Sequence, residues 1–146
     1  MRRTSGTSPL TPEDRRFLAA IVHQVWRAAQ TFVTVAVERG PAAARDIVDE
    51  LGEWAGAQRR LLGQRPTRTV TAAGLRVGRD LLEDVDAICR RVAHLLGALD
   101  HSAVSREKAE EEALALIEGV VAWTSLMASQ LGLARHLRPQ ILEYEG

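Results

Sequence analysis

The stretch that decides the fold is "PEDRRFLAAIVHQVWRAAQTFVTVAVERGP", residues 12–41. Its apolar residues recur at alternating intervals of four and three, which is the spacing of one buried face of an α-helix. Thr11 suits the N-cap of this helix, and Asp14 suits its first turn. Gly40 followed by Pro41 is a helix-stop signal. We therefore predict a long first helix that buries Leu18, Val22, Val25, Ala29, Phe32 and Ala36.

The same helical periodicity covers most of the remaining chain, and no segment shows the sustained two-residue alternation of a β-strand. The second helix is predicted over about residues 41–62, the third over about 71–99 and the fourth over about 105–136. Residues 63–69, "GQRPTRT", are predicted to form a loop because glycine and proline interrupt the pattern. Four amphipathic helices with short connections predict an all-α, up-down-up-down four-helix bundle.

One domain is expected, because 146 residues is an ordinary domain length and 46% hydrophobic residues can build a core of that size. A short non-helical arm over residues 1–10 and a tail over residues 139–146 are predicted to flank the bundle. The basic start of the chain is followed by no apolar run, so we do not expect a signal peptide. Cys89 is the single cysteine and excludes an internal disulfide, which fits a cytoplasmic protein.

Glycines stand four residues apart inside two predicted helices, Gly52 and Gly56 in the second and Gly74 and Gly78 in the third. Each glycine inside a helix costs about 1 kcal/mol relative to alanine, so a compensating contact is expected. Small residues three or four apart allow two helix backbones to approach closely. We predict that the fourth helix or a second subunit packs against the second helix at its glycines. The alternative is that these are tolerated surface glycines of a GC-rich gene.

The predicted fourth helix is apolar on nearly all sides, and Glu118 is its only charge between Ala113 and Ala134. This segment comes nearest to a membrane span, but its polar residues favour a deeply buried helix of a soluble protein. If Glu118 is buried, it becomes the best single functional candidate. A bundle buries one stripe per helix, so a symmetric partner would cover the remaining apolar surface. The predicted interface consists of small residues on the second and fourth helices, namely Gly52, Gly56, Gly119, Ala122, Ser125 and Ser129.

The net charge is zero, with 19 basic and 19 acidic residues, which argues against a nucleic-acid or membrane binder driven by overall charge. Arginines nevertheless gather at the end of the predicted bundle where the second helix ends and the third begins. Such a pole can bind phosphate, nucleic acid or an acidic partner, or it can be a solvated end. It lacks interleaved aromatic residues, which weakens a single-strand stacking interpretation. The predicted binding residues are Arg59, Arg60, Arg65, Arg68, Arg76 and Arg79.

Acidic residues of the second and third helices are predicted to lie level with each other when the two helices fold back through the loop. Carboxylates from two helices at one level can hold Mg²⁺ or Mn²⁺ for phosphate chemistry. This arrangement resembles the acidic helix pairs of all-α nucleotide pyrophosphohydrolases, although the paired-glutamate motif of that family is absent from the second helix. A solvated acidic face is the alternative. The candidate metal ligands are Asp46, Asp49, Glu50, Glu83 and Asp86.

These patterns favour a non-enzymatic helical interaction or scaffold module that associates with itself or with another protein, as a homo-oligomer or a small subunit of a larger assembly. The alternatives are a metal-dependent phosphohydrolase and binding of nucleic acid or phosphate through the arginine pole. No catalytic residue, membrane contact or cofactor is predicted outside the Mg²⁺ or Mn²⁺ of the first alternative. Cys89 is expected in the core, and His23, His94 and His101 on the surface.

Overall fold

The computed structural model describes residues 10–64, 69–97 and 103–133, with side chains for all of these except 63, 64, 103 and 104. Within them the chain forms four α-helices, and a short 3₁₀ turn, Pro41–Ala44, joins the first two. The prediction of an all-α four-helix bundle is confirmed. Residues 1–9 of the predicted arm, the whole predicted tail and residues 65–68 of the predicted loop lie outside the described residues. The helices are α1 (Pro12–Arg39), α2 (Arg45–Gln64), α3 (Ala72–Gly97) and α4 (Ala103–Gln130).

The helices alternate in direction around the bundle. α2 packs chiefly on α3, and α1 chiefly on α4. The end of α2 meets α3 where Arg59 approaches Asp86, and the start of α2 meets the end of α3 where Arg45 lies against Gly97, so these two helices are antiparallel. The starts of α1 and α3 meet at Asp14 and Thr71, so these two helices are parallel and face each other across the core. This is the up-down-up-down order, and it leaves α2 and α4 at opposite corners.

The predicted buried face of α1 is confirmed, because Leu18, Val22, Val25, Ala29, Phe32 and Ala36 are all buried. The start is also as predicted. The Thr11 hydroxyl accepts from the Asp14 backbone N–H, and the Asp14 carboxylate accepts from the Thr11 backbone N–H, which is a capping box. At the other end Gly40 has a φ of 93° and donates to the Ala36 carbonyl, so the helix stops where the sequence indicated.

The predicted end of the fourth helix near residue 136 is wrong, because α4 ends at Gln130. Gly132 takes a φ of 68°, which suits glycine and ends the helix. The Leu133 N–H donates to the Ala128 carbonyl at 2.9 Å, and the Gly132 N–H donates to the Ser129 carbonyl at 3.3 Å. This pair of bonds is a Schellman motif, and Leu133 is buried beneath it.

The glycines of the third helix lie against side chains of α1. A Cβ on Gly78 would lie 2.6 Å from Cε2 of Phe17, and a Cβ on Gly74 would collide with the Asp14 carboxylate. Both glycines are buried. The close helix contact that we expect to compensate glycines inside a helix is therefore present at Gly74 and Gly78, and the neighbouring helix is α1.

Candidate interaction surfaces

A groove of about 690 Å³ runs between α2 and α3, and the glycines of α2 form part of its floor. A Cβ on Gly52 would lie 3.3 Å from the Cβ of Cys89, so Gly52 seats α2 closely on α3. A Cβ on Gly56 would meet only the Arg60 guanidinium, at 3.7 Å. The prediction that α4 of the same chain packs at these glycines is wrong, because α4 stands at the opposite corner of the bundle.

Asp86 lies at the edge of this groove and is 9% exposed. Its Oδ2 accepts a hydrogen bond from Nη2 of Arg90 at 2.5 Å, and Nη1 of Arg59 lies 3.5 Å from the same oxygen. One carboxylate thus holds two arginines, one from each helix. A buried carboxylate is stable when it is paired in this way, so this cluster ties α2 to α3.

The other candidate metal ligands form no metal-binding group with Asp86, although Asp49 lines the same groove. Asp46, Asp49, Glu50 and Glu83 are exposed, and Asp49 pairs with Arg45 one turn away at 3.6 Å. The Arg45 side chain lies against Gly97, so the start of α2 is level with the end of α3, well beyond Asp86. In the part of the chain that the structure describes, no group of three or more His, Cys, Asp or Glu residues could hold a metal ion.

Cys89 lies in the floor of the groove and is buried, as expected for a core residue. Burial, with smaller contributions from the charges of Asp86 and Asp49, raises the pKa of the Cys89 thiol to about 12. A thiol with such a pKa stays protonated at neutral pH and is a poor nucleophile. The residue therefore acts in packing.

The described arginines of the predicted pole do lie at one end of the bundle, at the end of α2 and the start of α3. Arg59 is engaged with Asp86, whereas Arg60, Arg76 and Arg79 are exposed. Arg65 and Arg68 lie outside the described residues. Whether this pole binds phosphate or an acidic partner stays a prediction.

A row of exposed residues on α4 stands out, and we call Ala115, Gly119, Ala122 and Leu126 the outward face. Leu126 is 51% exposed, and the space beside Gly119 is open for 4 Å. The opposite side of α4 packs into the core through residues such as Ile117 and Val121. Leu126 was missed in the sequence prediction, although its four-three-four spacing with the small residues is a signal that could have found it.

The remaining predicted residues of α4 lie near this face. Ser125 is half-buried and Ser129 is exposed. Glu118 is exposed, at an edge of the outward face, so it is not the buried charge that would have made it a functional candidate. Half-buried Leu116 and Trp123 extend the apolar surface on the other edge. From Ala113 to the end of α4, Glu118 is therefore the one charge that borders the outward face.

The stretch Ser105–Gln130 is also long and apolar enough to cross a membrane by length and composition, and 33% of its most apolar window is buried. The core helix of a soluble protein meets the same criterion. The predicted deep burial of this helix is therefore confirmed only for the side that contains Ile117 and Val121. The opposite side is the outward face.

His23 and Trp26 lie together on α1, with their ring centroids 6.4 Å apart. The indole Nε1 of Trp26 is buried and makes no hydrogen bond to the described residues. His94 is exposed, as predicted, His23 is half-buried, and His101 lies outside the described residues.

Protein-family models, curated proteins and solved structures were compared with the chain, and none of them matches it. The fold and the surfaces therefore define its class, which is an all-α four-helix bundle with an apolar face on α4 that the other described residues leave exposed.

Proposed function

We propose that the protein is a non-enzymatic helical interaction module that associates through the outward face of α4, with itself or as a small subunit of a larger assembly. The observation that carries the proposal is the exposure of Leu126 in a row with three small residues and no charge. Apolar surface removed from water contributes about 25 cal/mol per Å². A partner that covers this row and its Leu116 and Trp123 edge therefore gains free energy that the isolated chain lacks.

The small residues support contact with another helix. Ala115, Gly119 and Ala122 project little beyond the backbone, so a partner helix can approach α4 closely. The face itself carries no charge from Ala115 to Leu126, and the charges at its borders are Glu118 and, beside Ala115, Glu111 and Glu112.

The proposal is tested by light scattering at micromolar concentration. We expect the wild-type chain to be an oligomer and Leu126→Glu to weaken it at least about tenfold in Kd, because the change places a charge in a contact without a partner. Leu61→Glu is the matched control, since Leu61 is 45% exposed on α2, at the corner opposite α4. Circular dichroism should show the helical fold in both variants.

Two results would contradict self-association. One is a wild-type monomer at micromolar concentration, and the other is equal loss of the oligomer in Leu61→Glu and Leu126→Glu. A monomer that retains a protein partner, and loses it in Leu126→Glu, would support the subunit form of the proposal instead.

The phosphohydrolase alternative has weaker support. It needs carboxylates of α2 and α3 that can hold a metal ion together, whereas Asp86 is held by Arg59 and Arg90 and Asp49 pairs with Arg45. A screen of nucleoside triphosphates with Mg²⁺ and Mn²⁺ tests it directly, because turnover that is lost in Asp86→Asn would favour the enzyme.

A further inference from the structure

We infer that the partner of the outward face is a second copy of the chain, whose α4 lies antiparallel to the first across a two-fold axis between Gly119 and Ala122. The inference rests on the proposed function and adds the identity and direction of the partner. Two independent features of α4 point to it, namely the order of side-chain sizes along the face and the charges along its edges.

The sizes along the outward face are complementary in the antiparallel direction. With the axis between Gly119 and Ala122, Leu126 of each copy lies over Ala115 of the other, and each Gly119 lies opposite Ala122. The exposed leucine thus meets a small residue, and the two backbones approach at the centre. A parallel pair would instead place Leu126 against Leu126 and leave a gap at Gly119.

The charges agree with the same direction. Glu112 lies on the edge of α4 that faces α3, because it pairs with Arg91 there. At about 100° per residue, Glu111 and Glu118 lie on the other edge, which faces α1. Arg15 of α1 reaches the end of that edge, where its Nε is 3.6 Å from the position of a Cβ on Gly132. The α1 edge of α4 is therefore acidic at Glu111 and Glu118 and basic at Arg15, while exposed Lys108 lies in line with the outward face seven residues before Ala115.

A two-fold axis perpendicular to antiparallel helices brings the two α1 edges together. Arg15, level with Gly132, then faces the stretch near Glu111 of the other copy. Opposite charges across an interface fix its direction. Pairing Arg15 with Glu111 places the centre between residues 121 and 122, which agrees with the centre that the side-chain sizes give.

Disulfide formation between single cysteines tests the direction. In a Cys89→Ala background, Ala122→Cys is close to the proposed axis and should link to its own copy on oxidation. Ala115→Cys should not, because the two Ala115 positions lie about 16 Å apart along an antiparallel pair at about 1.5 Å per residue. A mixture of tagged Ala115→Cys with untagged Leu126→Cys should give a linked heterodimer.

The outcomes separate this inference from the proposed function. An oligomer that is lost in Leu126→Glu, and in which Ala115→Cys links to its own copy, is parallel. This result overturns the inference and leaves the proposed function standing. An oligomer that Leu126→Glu does not weaken, and that Ala122→Cys does not link, overturns both. A wild-type monomer that floats with phosphatidylcholine vesicles, and does so less in Leu126→Glu, assigns the face to lipid and overturns the inference.

Discussion

Asp14 shows how one residue can join two helices. It is fully buried, and beyond its bond from the Thr11 N–H it accepts the Thr71 N–H at 2.8 Å and the Thr71 hydroxyl at 2.6 Å. Thr71 in turn caps α3, since its hydroxyl accepts from the Gly74 N–H. The sequence predicted Asp14 as a first-turn charge of α1, but its bonds to the start of α3 depend on the packing of the bundle.

We expect these hydrogen bonds to make stability depend on pH. Burial works to raise the pKa of Asp14, but the hydrogen bonds from Thr71 and Thr11 outweigh it, so the pKa lies below its ordinary value of 3.8. A lowered carboxyl pKa contributes stability above pH 3.8 that is lost as the pH falls through the folded-state value. In urea melts at pH 7, Asp14→Asn should cost about 1–3 kcal/mol, because the amide places a donor against donors.

The difference between wild type and Asp14→Asn should shrink as the pH falls below 3.8. Glu13→Gln is the matched control, because Glu13 is the neighbouring acid and is exposed. A loss from Asp14→Asn that is constant from pH 7 down to about pH 2 would show that the carboxylate charge contributes nothing at this site.

At the scale of the helices, the two glycine pairs have different roles although their spacing is the same. Gly74 and Gly78 face α1 at a distance that no side chain could occupy, whereas Gly56 faces the open groove between α2 and α3. Gly52 is intermediate, in close contact with Cys89. Spacing alone predicts a strip of small residues along a helix. The position of the neighbouring helix decides whether that strip is a close helix contact or part of an open surface.

Thermal melts of alanine variants should separate the two pairs. Gly56→Ala should raise the unfolding free energy by up to about 1 kcal/mol, because the site is open and alanine is the better helix former. Gly78→Ala should lower it by about 1–3 kcal/mol, because the new Cβ would overlap the Phe17 ring. Gly56→Leu tests whether a second copy binds in the groove. The leucine should leave the stability of the single chain unchanged, and it should weaken the oligomer only if the partner lies in the groove. A stabilising Gly78→Ala would contradict the close approach of α1 and α3.

At the scale of the whole molecule, zero net charge hides an ordered layout. The edge of α4 toward α1 carries Glu111 and Glu118 and ends at Arg15, while Asp86 joins α2 to α3 on the other side of the bundle. Among the described residues the first set makes no ion pair, and it borders the outward face, so a partner's charges can meet it. Asp86 is instead paired with Arg59 and Arg90 of the same chain.

A charge reversal tests the layout in the assembly. Arg15→Glu and Glu111→Arg should each raise the dimer Kd by roughly twofold to thirtyfold, since each removes two symmetry-related exposed pairs. The double variant should recover most of the loss, and the wild-type Kd should rise with added salt. Analytical ultracentrifugation of the four proteins gives the measurement. A double variant that is no tighter than either single variant would show that these residues do not meet.

The sequence by itself determined the features that are local along the chain. Helical periodicity located the four helices and the core of α1, and capping signals located Thr11 and Gly40, because these depend on residues within one or two turns. The end of α4 belongs to the same class, since Gly132 carries the signal that was missed. Tertiary structure alone decided the partners of the glycines, the pairing of Asp86 with two arginines and the outward direction of Leu126. These depend on the rotation and register of one helix against another, which are set by the packing of the whole core and not by any single segment.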